Sequence, residues 1–240
     1  MTQTLQAVLW DMDGTLVDTE PYWYNAEVEL LDEYGQQWSV QQSEALIGNA
    51  LPLSAVALQQ AGVDLGIRDI IDRLTHSVAR QVRQRVPWRP GARELLQQLH
   101  AASVPCALVT MSETALADEV IQHLAEETFP VQVTGTSVER GKPAPDPYLL
   151  AAQRLIDRAA GPTTMGIDGM VAIEDSLTGV TSALAAGLPT VGVPNILPLS
   201  PQPGLTVWPT LAGKTVDDLV DVLRSDRHHP SRIVGSALGS

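Results

Sequence analysis

The chain has 240 residues and a formal net charge of -13, from 15 basic and 28 acidic side chains. This charge excludes a general affinity for nucleic-acid backbones or anionic membranes, although one local cation would still allow a small anionic ligand to bind. Hydrophobic residues at 44% and charged residues at 18% are ordinary for a globular protein, and a chain of this length folds without disulfides.

The N-terminal segment and the cysteine content bear on the cellular compartment in which the protein is expected. No basic region precedes a long apolar stretch, and no window reaches the ~18 uncharged apolar residues of a membrane span. The single cysteine, Cys106, has no partner for an internal disulfide, and it lies in the apolar run 104–110. We therefore predict that Cys106 is buried in a strand and that the protein is cytoplasmic, while its oligomeric state stays open.

Short apolar runs rich in β-branched residues recur along the chain and predict central parallel strands. They are 5–10, 105–110, 131–134, 170–174 and 189–193. Helical spacing of apolar residues lies between them, in 92–102, 148–160 and 180–186. Strands that alternate with helices predict an α/β fold with a doubly wound, Rossmann-like parallel sheet.

Residues 19–88 interrupt this alternation, because they contain no strand pattern. Helical stretches lie at 22–34, 52–61 and 67–86. A segment this long is not a crossover loop in a compact domain. We predict a small all-α cap domain at 19–88, inserted into an α/β core of 1–18 and 89–226 through hinges near 17–19 and 86–90. The polar residues 227–240 are expected to form a flexible tail.

Two acids directly follow the first predicted strand. Asp11 and Asp13 lie in the sequence DMDGTLVD at 11–18. Residues one apart on a straight strand point to opposite faces, but a turn at the strand end brings both towards one crevice. Open α/β sheets bind ligands at that edge.

Polar residues also follow the other predicted strands. Thr110 ends the second long strand, Lys142 lies in the rigid sequence GKPAPDP, and Glu174 and Asp175 end the strand at 170–174. A threonine hydroxyl and a lysine suit phosphate oxygens, whereas adjacent carboxylates repel each other and favour a hard cation such as Mg²⁺.

Each of these four motifs alone also fits a structural role. They could form an Asp-Gly turn, a polar strand end, a solvated loop lysine and a helix N-cap. Together, in an order that one sheet could assemble, they predict an acidic pocket that binds Mg²⁺ and a substrate phosphate.

At these four motifs the chain resembles the haloacid dehalogenase-like superfamily, in its phosphatase and phosphoglucomutase branch. The resemblance runs from about Leu5 to Leu223, and only the segment 161–170 is longer than usual. It implies that Asp11 is a nucleophile that forms an aspartyl-phosphate, and that Asp13 acts as acid and base.

The resemblance also implies the remaining site residues. Mg²⁺ would be held by the Asp11 carboxylate, the backbone carbonyl of Asp13 and Asp175, with Glu174 close by. Thr110 and Lys142 would bind the phosphoryl group. The cap would supply substrate contacts, for which the candidates are Trp23, Asn49 and Leu51. Their mixed character suggests a small organic phosphate, such as a sugar or polyol phosphate.

Three alternatives use the same fold. A sugar phosphomutase of this branch would carry a cap histidine where this chain has Trp23, and an arginine soon after Gly48, where 49–52 has none. A dehalogenase needs no acid two residues after its nucleophile, yet Asp13 is present. A non-catalytic binding protein would be expected to have lost a catalytic residue. We therefore favour a phosphomonoester hydrolase, with a mutase as the main alternative.

Overall fold

A computed structural model describes residues 4–48, 50–159 and 165–226. Six parallel strands form one sheet in the order β3-β2-β1-β4-β5-β6. The strands are β1 (Ala7–Trp10), β2 (Cys106–Val109), β3 (Val131–Val133), β4 (Met170–Glu174), β5 (Thr190–Gly192) and β6 (Leu205–Val207). This strand order is that of the doubly wound α/β folds, so the predicted fold class is confirmed.

Helices in the described residues cover both faces of the sheet and fill the segment between β1 and β2. They are α1 (Glu20–Glu33), α2 (Val40–Glu44), α3 (Leu51–Gln60), α4 (Ile67–Gln84), α5 (Ala92–Ala101), α6 (Thr114–Ile121), α7 (Asp146–Arg158), α8 (Leu177–Ala185) and α9 (Val216–Asp226). Nowhere in the three described ranges is a helix both long and apolar enough to cross a membrane.

The period of two along β1 divides its side chains between the two faces of the sheet. Val8 and Trp10 belong to the larger core cluster, with the helices that include α5, α6 and α9. Ala7 and Leu9 belong to the second cluster, with α7 and α8. All four side chains are fully buried, which is why β1 reads as a continuous apolar run.

The helices α1 to α4 lie between β1 and β2, where the sequence predicted helices and no strand. The long helix α4 buries one apolar stripe, which includes Ile70, Leu74 and Val78. This stripe packs within the same core cluster as the sheet residues. Ion pairs also join α4 to the neighbourhood of α6, from Arg68 to Glu113 and from Arg83 to Glu119.

Several elements were not predicted from the sequence, namely α2, α6, α9 and β6. Cys106 is buried in β2, as predicted. The long link before β4 contains a short 3-10 helix at Ile167–Gly169, and residues 160–164 of it lie outside the described residues. The predicted tail 227–240 also lies outside them.

Candidate active site

The candidate site lies at the carboxyl ends of β1 and β4, the neighbouring strands at which the strand order reverses. Asp11 directly follows β1, while Glu174 ends β4 and Asp175 follows it. Such a switch point leaves a crevice outside the strand ends, because the connections on its two sides leave in opposite directions. The sheet therefore brings together residues that are more than 160 positions apart in sequence.

Lys142 joins the motifs at the floor of the crevice. Its Nζ donates to Asp11 Oδ1 at 2.6 Å, to Glu174 Oε1 at 2.7 Å and to the carbonyl oxygen of Val109 at 2.8 Å. The lysine side chain is only 5% exposed, so this ion-pair network is held away from water. Three acceptors match the three donors of an ammonium group, which fixes the position of the charge.

Glu174 is fully buried and has partners on both oxygens. Besides Lys142, its Oε1 accepts a hydrogen bond from the Tyr148 hydroxyl at 2.7 Å. Its Oε2 accepts from the backbone N–H of Asp175 at 3.2 Å and from Ser176 Oγ at 3.3 Å. Glu174 lies beside Asp11, as the sequence predicted, but it does not line the cavity above Asp11. This geometry suits a residue that positions Lys142 and Asp175.

Asp13 is held by three hydroxyl groups, one from the segment after β1 and two from the segment after β2. Its Oδ1 accepts from Thr19 Oγ1 at 2.6 Å, and its Oδ2 accepts from Thr110 Oγ1 at 3.0 Å and from Ser112 Oγ at 2.7 Å. Thr110 thus contacts an anionic oxygen, as the sequence suggested, but that oxygen belongs to Asp13. Asp11 and Asp13 line one cavity, so the predicted turn at the strand end is confirmed.

Gly14 allows the first motif to approach the last one. It has a φ of +87°, and a Cβ atom there would lie 2.0 Å from Asp175 Oδ2. No other residue fits this contact without moving the carboxylate. Thr15 Oγ1 also donates to Asp175 Oδ1, at 3.4 Å. The turn of the first motif therefore sets the position of Asp175.

Three buried carboxylates form the candidate metal centre: Asp11, Glu174 and Asp175 have oxygens within 4.8 Å of one another. Asp11 Oδ2 is buried and has no hydrogen-bond partner among the residues that the structure describes. Buried polar atoms almost always have a partner, so this oxygen is open to a cation or to the phosphorus atom of a substrate. Hard carboxylate oxygens in this number fit Mg²⁺.

Burial raises the pKa values of Asp11 and Asp175. The pKa of Asp11 rises to about 7, because burial and the nearby Glu174 together outweigh Lys142. Burial and the charge of Asp11 raise the pKa of Asp175 well above its usual range. Burial alone would lower the pKa of Lys142, but Asp11 and Glu174 raise it overall, so the lysine stays charged.

A cavity of about 110 Å³ lies above these residues, which is room for a small organic ligand. Trp23 and Leu51 line it, as predicted, whereas Asn49 lies outside the described residues. Sequence reasoning missed Glu20 and Glu27, which also line the cavity from α1. Their spacing of seven residues, with Trp23 between them, is the only signal in the sequence that they share a helix face.

Comparisons with known proteins identify the family of the chain. The sequence model of the haloacid dehalogenase-like hydrolases matches residues 8–193, well over half of the chain. The chain belongs to the haloacid dehalogenase-like hydrolase family. The phosphorylated carbohydrates phosphatase of Thermotoga maritima is 30% identical over 189 residues, 77% of this chain and 82% of that protein.

A second curated relative is the fructose-1-phosphate phosphatase YqaB of Escherichia coli. It is 33% identical over 197 residues, 80% of this chain and 98% of that one. Among solved structures, CbbY of Rhodobacter sphaeroides with xylulose-1,5-bisphosphate has a TM-score of 0.79 at 24% identity, covering 90% of this chain and 99% of that one. β-Phosphoglucomutase of Clostridium difficile has a TM-score of 0.77 at 18% identity, covering 94% and 100%. These two structures support the fold.

Proposed function

We propose that this member of the haloacid dehalogenase-like family is a Mg²⁺-dependent phosphomonoester hydrolase, acting on a small sugar or polyol phosphate through an aspartyl-phosphate. The observation that carries the proposal is the environment of Asp11, whose Oδ1 is fixed by Lys142 while its buried Oδ2 has no partner. The names of the two curated relatives, one a phosphatase of phosphorylated carbohydrates and one of fructose 1-phosphate, support the same reaction and substrate class.

The roles follow from the positions of the two aspartates. Asp11 attacks phosphorus through an oxygen that no protein group occupies, and the P–O bond to the leaving alcohol breaks. Asp13 lies in the same cavity and gives its proton to the departing oxygen. Asp13 then accepts a proton from the water that attacks the aspartyl-phosphate, which releases inorganic phosphate and frees Asp11.

The remaining residues of the site bind or balance the charges of the two aspartates, the metal and the phosphate. Lys142 keeps a fixed positive charge against Asp11. Thr110 and Ser112 hold Asp13 in place and can turn their hydroxyls towards phosphate oxygens. Asp11, Asp175 and the backbone carbonyl of Asp13 are the proposed ligands of Mg²⁺. The bound ion would neutralise the repulsion between the carboxylates and the phosphate dianion.

The metal proposal predicts how stability depends on pH. An acid whose pKa is higher in the folded state stabilises the fold when protonated, and this contribution is lost as the pH rises through the folded value. With Asp11 at about 7 and Asp175 raised as well, the melting temperature in excess chelator should fall between about pH 5 and about pH 8.

Saturating Mg²⁺ should remove this fall, because a metal binds the ionised carboxylates. The Mg²⁺-induced rise in melting temperature, measured by thermal denaturation, should therefore increase with pH. Asp175→Asn should reduce the rise, and the exposed Asp118→Asn is the matched control. An equal Mg²⁺-induced rise in melting temperature at about pH 5 and at about pH 8 would contradict the metal proposal.

The test of the proposed reaction also decides between hydrolase and mutase. A mutase must shield its aspartyl-phosphate from water until a second sugar hydroxyl accepts the phosphoryl group. Trp23 lines the cavity where this branch's mutases carry a histidine, and its indole offers one donor and accepts no proton. No arginine or lysine other than Lys142 lines the cavity among the described residues.

Water should therefore reach the intermediate. We expect a panel of sugar and polyol phosphates to release inorganic phosphate in a Mg²⁺-dependent manner. A hexose 1-phosphate with a catalytic amount of hexose bisphosphate should give inorganic phosphate and no hexose 6-phosphate, as followed by phosphorus NMR. Faster formation of hexose 6-phosphate than of inorganic phosphate would contradict the hydrolase proposal and favour the mutase alternative.

We also propose that the chain is divided into a core domain and a cap domain. Residues 19–88, which carry α1 to α4, would form the cap, and 1–18 with 89–226 would form the core that holds the reacting groups. The contribution of Glu20, Trp23 and Leu51 to the cavity supports a cap that contacts the leaving group. The two connections between cap and core run side by side: the backbone N–H of Asp18 donates to Pro87 O, and that of Arg89 donates to Leu16 O. This pairing supports hinges at these two places.

A further inference from the structure

Helix α1 contributes acidic side chains to the lining of the cavity. We use the name acidic wall for Glu20 and Glu27, which line the cavity together with Trp23. Spacings of three and four residues place the three side chains on one helix face. Neither glutamate belongs to the group of carboxylates that could hold the metal. The mechanism above assigns no role to either of them.

Glu27 is fixed in place although it is a buried acid. It is 4% exposed, and its Oε2 accepts a hydrogen bond from Trp38 Nε1 at 2.8 Å. The Ser43 side chain also hydrogen-bonds to it. Both partners contribute hydrogen-bond donors and no positive charge. The carboxylate is therefore held as an acceptor at the surface of the cavity, with lone pairs left for a ligand.

Glu20 stands nearer to the reacting groups. In the part of the chain that the structure describes, it has no hydrogen bond or ion pair. The charged groups that most affect its pKa are acids, with Asp13 first and Glu27 next, and all of them raise it. A group that donates hydrogen bonds to Glu20 would meet no competing protein donor.

The charges around the cavity are unbalanced. Five carboxylates line it and the only cation among its described lining residues is Lys142, which is already bound to Asp11 and Glu174. A divalent cation would offset two negative charges next to Asp11, on the sheet side. Burial, and for Glu20 also the charge of Asp13, raises the pKa of both glutamates, that of Glu20 to about 8. The wall at α1 is therefore most negative at alkaline pH, and its described neighbours in the cavity offer no free cation to pair with a second anionic group.

We infer that Glu20 and Glu27 determine substrate specificity: they accept hydrogen bonds from hydroxyl groups of a neutral polyhydroxy leaving group and exclude esters that carry a second anion. This inference rests on the proposed phosphatase function and deepens it. A hydroxyl donates to a carboxylate at little cost, whereas a carboxylate or second phosphate placed there loses its water without gaining a partner.

The test uses two substrates that differ at one carbon. Glucitol 6-phosphate and 6-phosphogluconate share a six-carbon hydroxylated chain, but the end far from the phosphate is a hydroxymethyl group in the first and a carboxylate in the second. At about pH 9, where Glu20 is ionised, we expect kcat/KM to be at least ~100-fold higher for glucitol 6-phosphate. The ratio of the two values is independent of the fraction of folded enzyme, because both substrates meet the same sample.

Glu27→Gln removes the charge and keeps the acceptor for Trp38. It should lower that ratio by at least ~10-fold, through a gain for 6-phosphogluconate relative to the neutral ester. Glu20→Gln should change the ratio in the same direction. Glu29→Gln is the matched control, since Glu29 lies on the same helix but is exposed and paired with Arg80, and it should leave the ratio unchanged.

The outcomes separate this inference from the function on which it rests. If the wild-type protein hydrolyses no phosphomonoester in the presence of Mg²⁺, the proposed function fails. If it hydrolyses both substrates equally well, or if neither glutamine variant changes the ratio, the phosphatase stands and the role of the acidic wall is overturned.

Discussion

Asp11→Asn should lower the rate of phosphate release by at least about four orders of magnitude and leave the fold intact. The substitution keeps the shape of the side chain and removes the attacking charge. It also removes a buried acid whose pKa is raised by burial, so the metal-free variant should melt no lower than the wild type near neutral pH. Phosphate release and thermal denaturation measure the two effects on the same sample.

The surface variant Asp118→Asn controls for the chemical change itself. Asp118 lies on α6 and is exposed, so the same loss of charge there should change neither rate nor melting temperature. Near-normal turnover of Asp11→Asn would remove Asp11 from the role of nucleophile. A large loss of turnover together with unfolding would instead make Asp11 a structural residue.

Lys142→Met should have the largest effect on stability. Removal of the ammonium leaves Asp11 and Glu174 buried without their cation, and breaking a buried ion pair in this way costs about 3–5 kcal/mol. The free energy of unfolding, measured in denaturant, should fall more at about pH 8 than at about pH 5, because Asp11, whose pKa is raised by burial, can take up a proton at the lower pH. Turnover should also be lost.

A second substitution separates the two effects of Lys142. The double variant Lys142→Met with Glu174→Gln removes one of the orphaned charges, so it should recover part of the stability but none of the turnover. The chain's other lysine, Lys214, lies over the Trp208 ring at the surface, and Lys214→Met is the control. A Lys142→Met variant as stable as the wild type at about pH 8 would contradict the ion-pair network.

The core could be predicted from the sequence because its strands are buried on both faces. The runs around β1, β2, β4 and β5 are continuous and apolar for that reason. The edge strand β6 was missed, since Leu205–Val207 is short and partly exposed, and gives no such run. Helix α6 was missed because eight residues offer too few turns to show a period and no side chain caps its N-terminus.

The sequence predicted which charged residues meet at the site, but it did not predict all of their hydrogen-bond partners. Asp11, Lys142, Glu174 and Asp175 are found in contact, because ends of parallel strands meet at one edge. The partner of the Thr110 hydroxyl could not be predicted, since Asp13 and a phosphate oxygen are both anionic acceptors. Spacing alone indicates that Glu20 and Glu27 share a helix face, but a charged face is usually solvated. Only the tertiary structure, in which α1 packs against α4, shows that this face lines the cavity.

The most direct test of the aspartyl-phosphate uses Asp13→Asn with an aryl phosphate. An aryl leaving group departs without a proton from an acid, so the first step should proceed, whereas release of phosphate needs Asp13 as the base. The measurement is rapid mixing, acid quench and peptide mapping by mass spectrometry. We expect a burst of nearly one equivalent of aryl alcohol per enzyme, with the phosphoryl group on Asp11. A burst that leaves the phosphoryl group on another residue, such as Ser112, or slow turnover with no burst, would contradict the account.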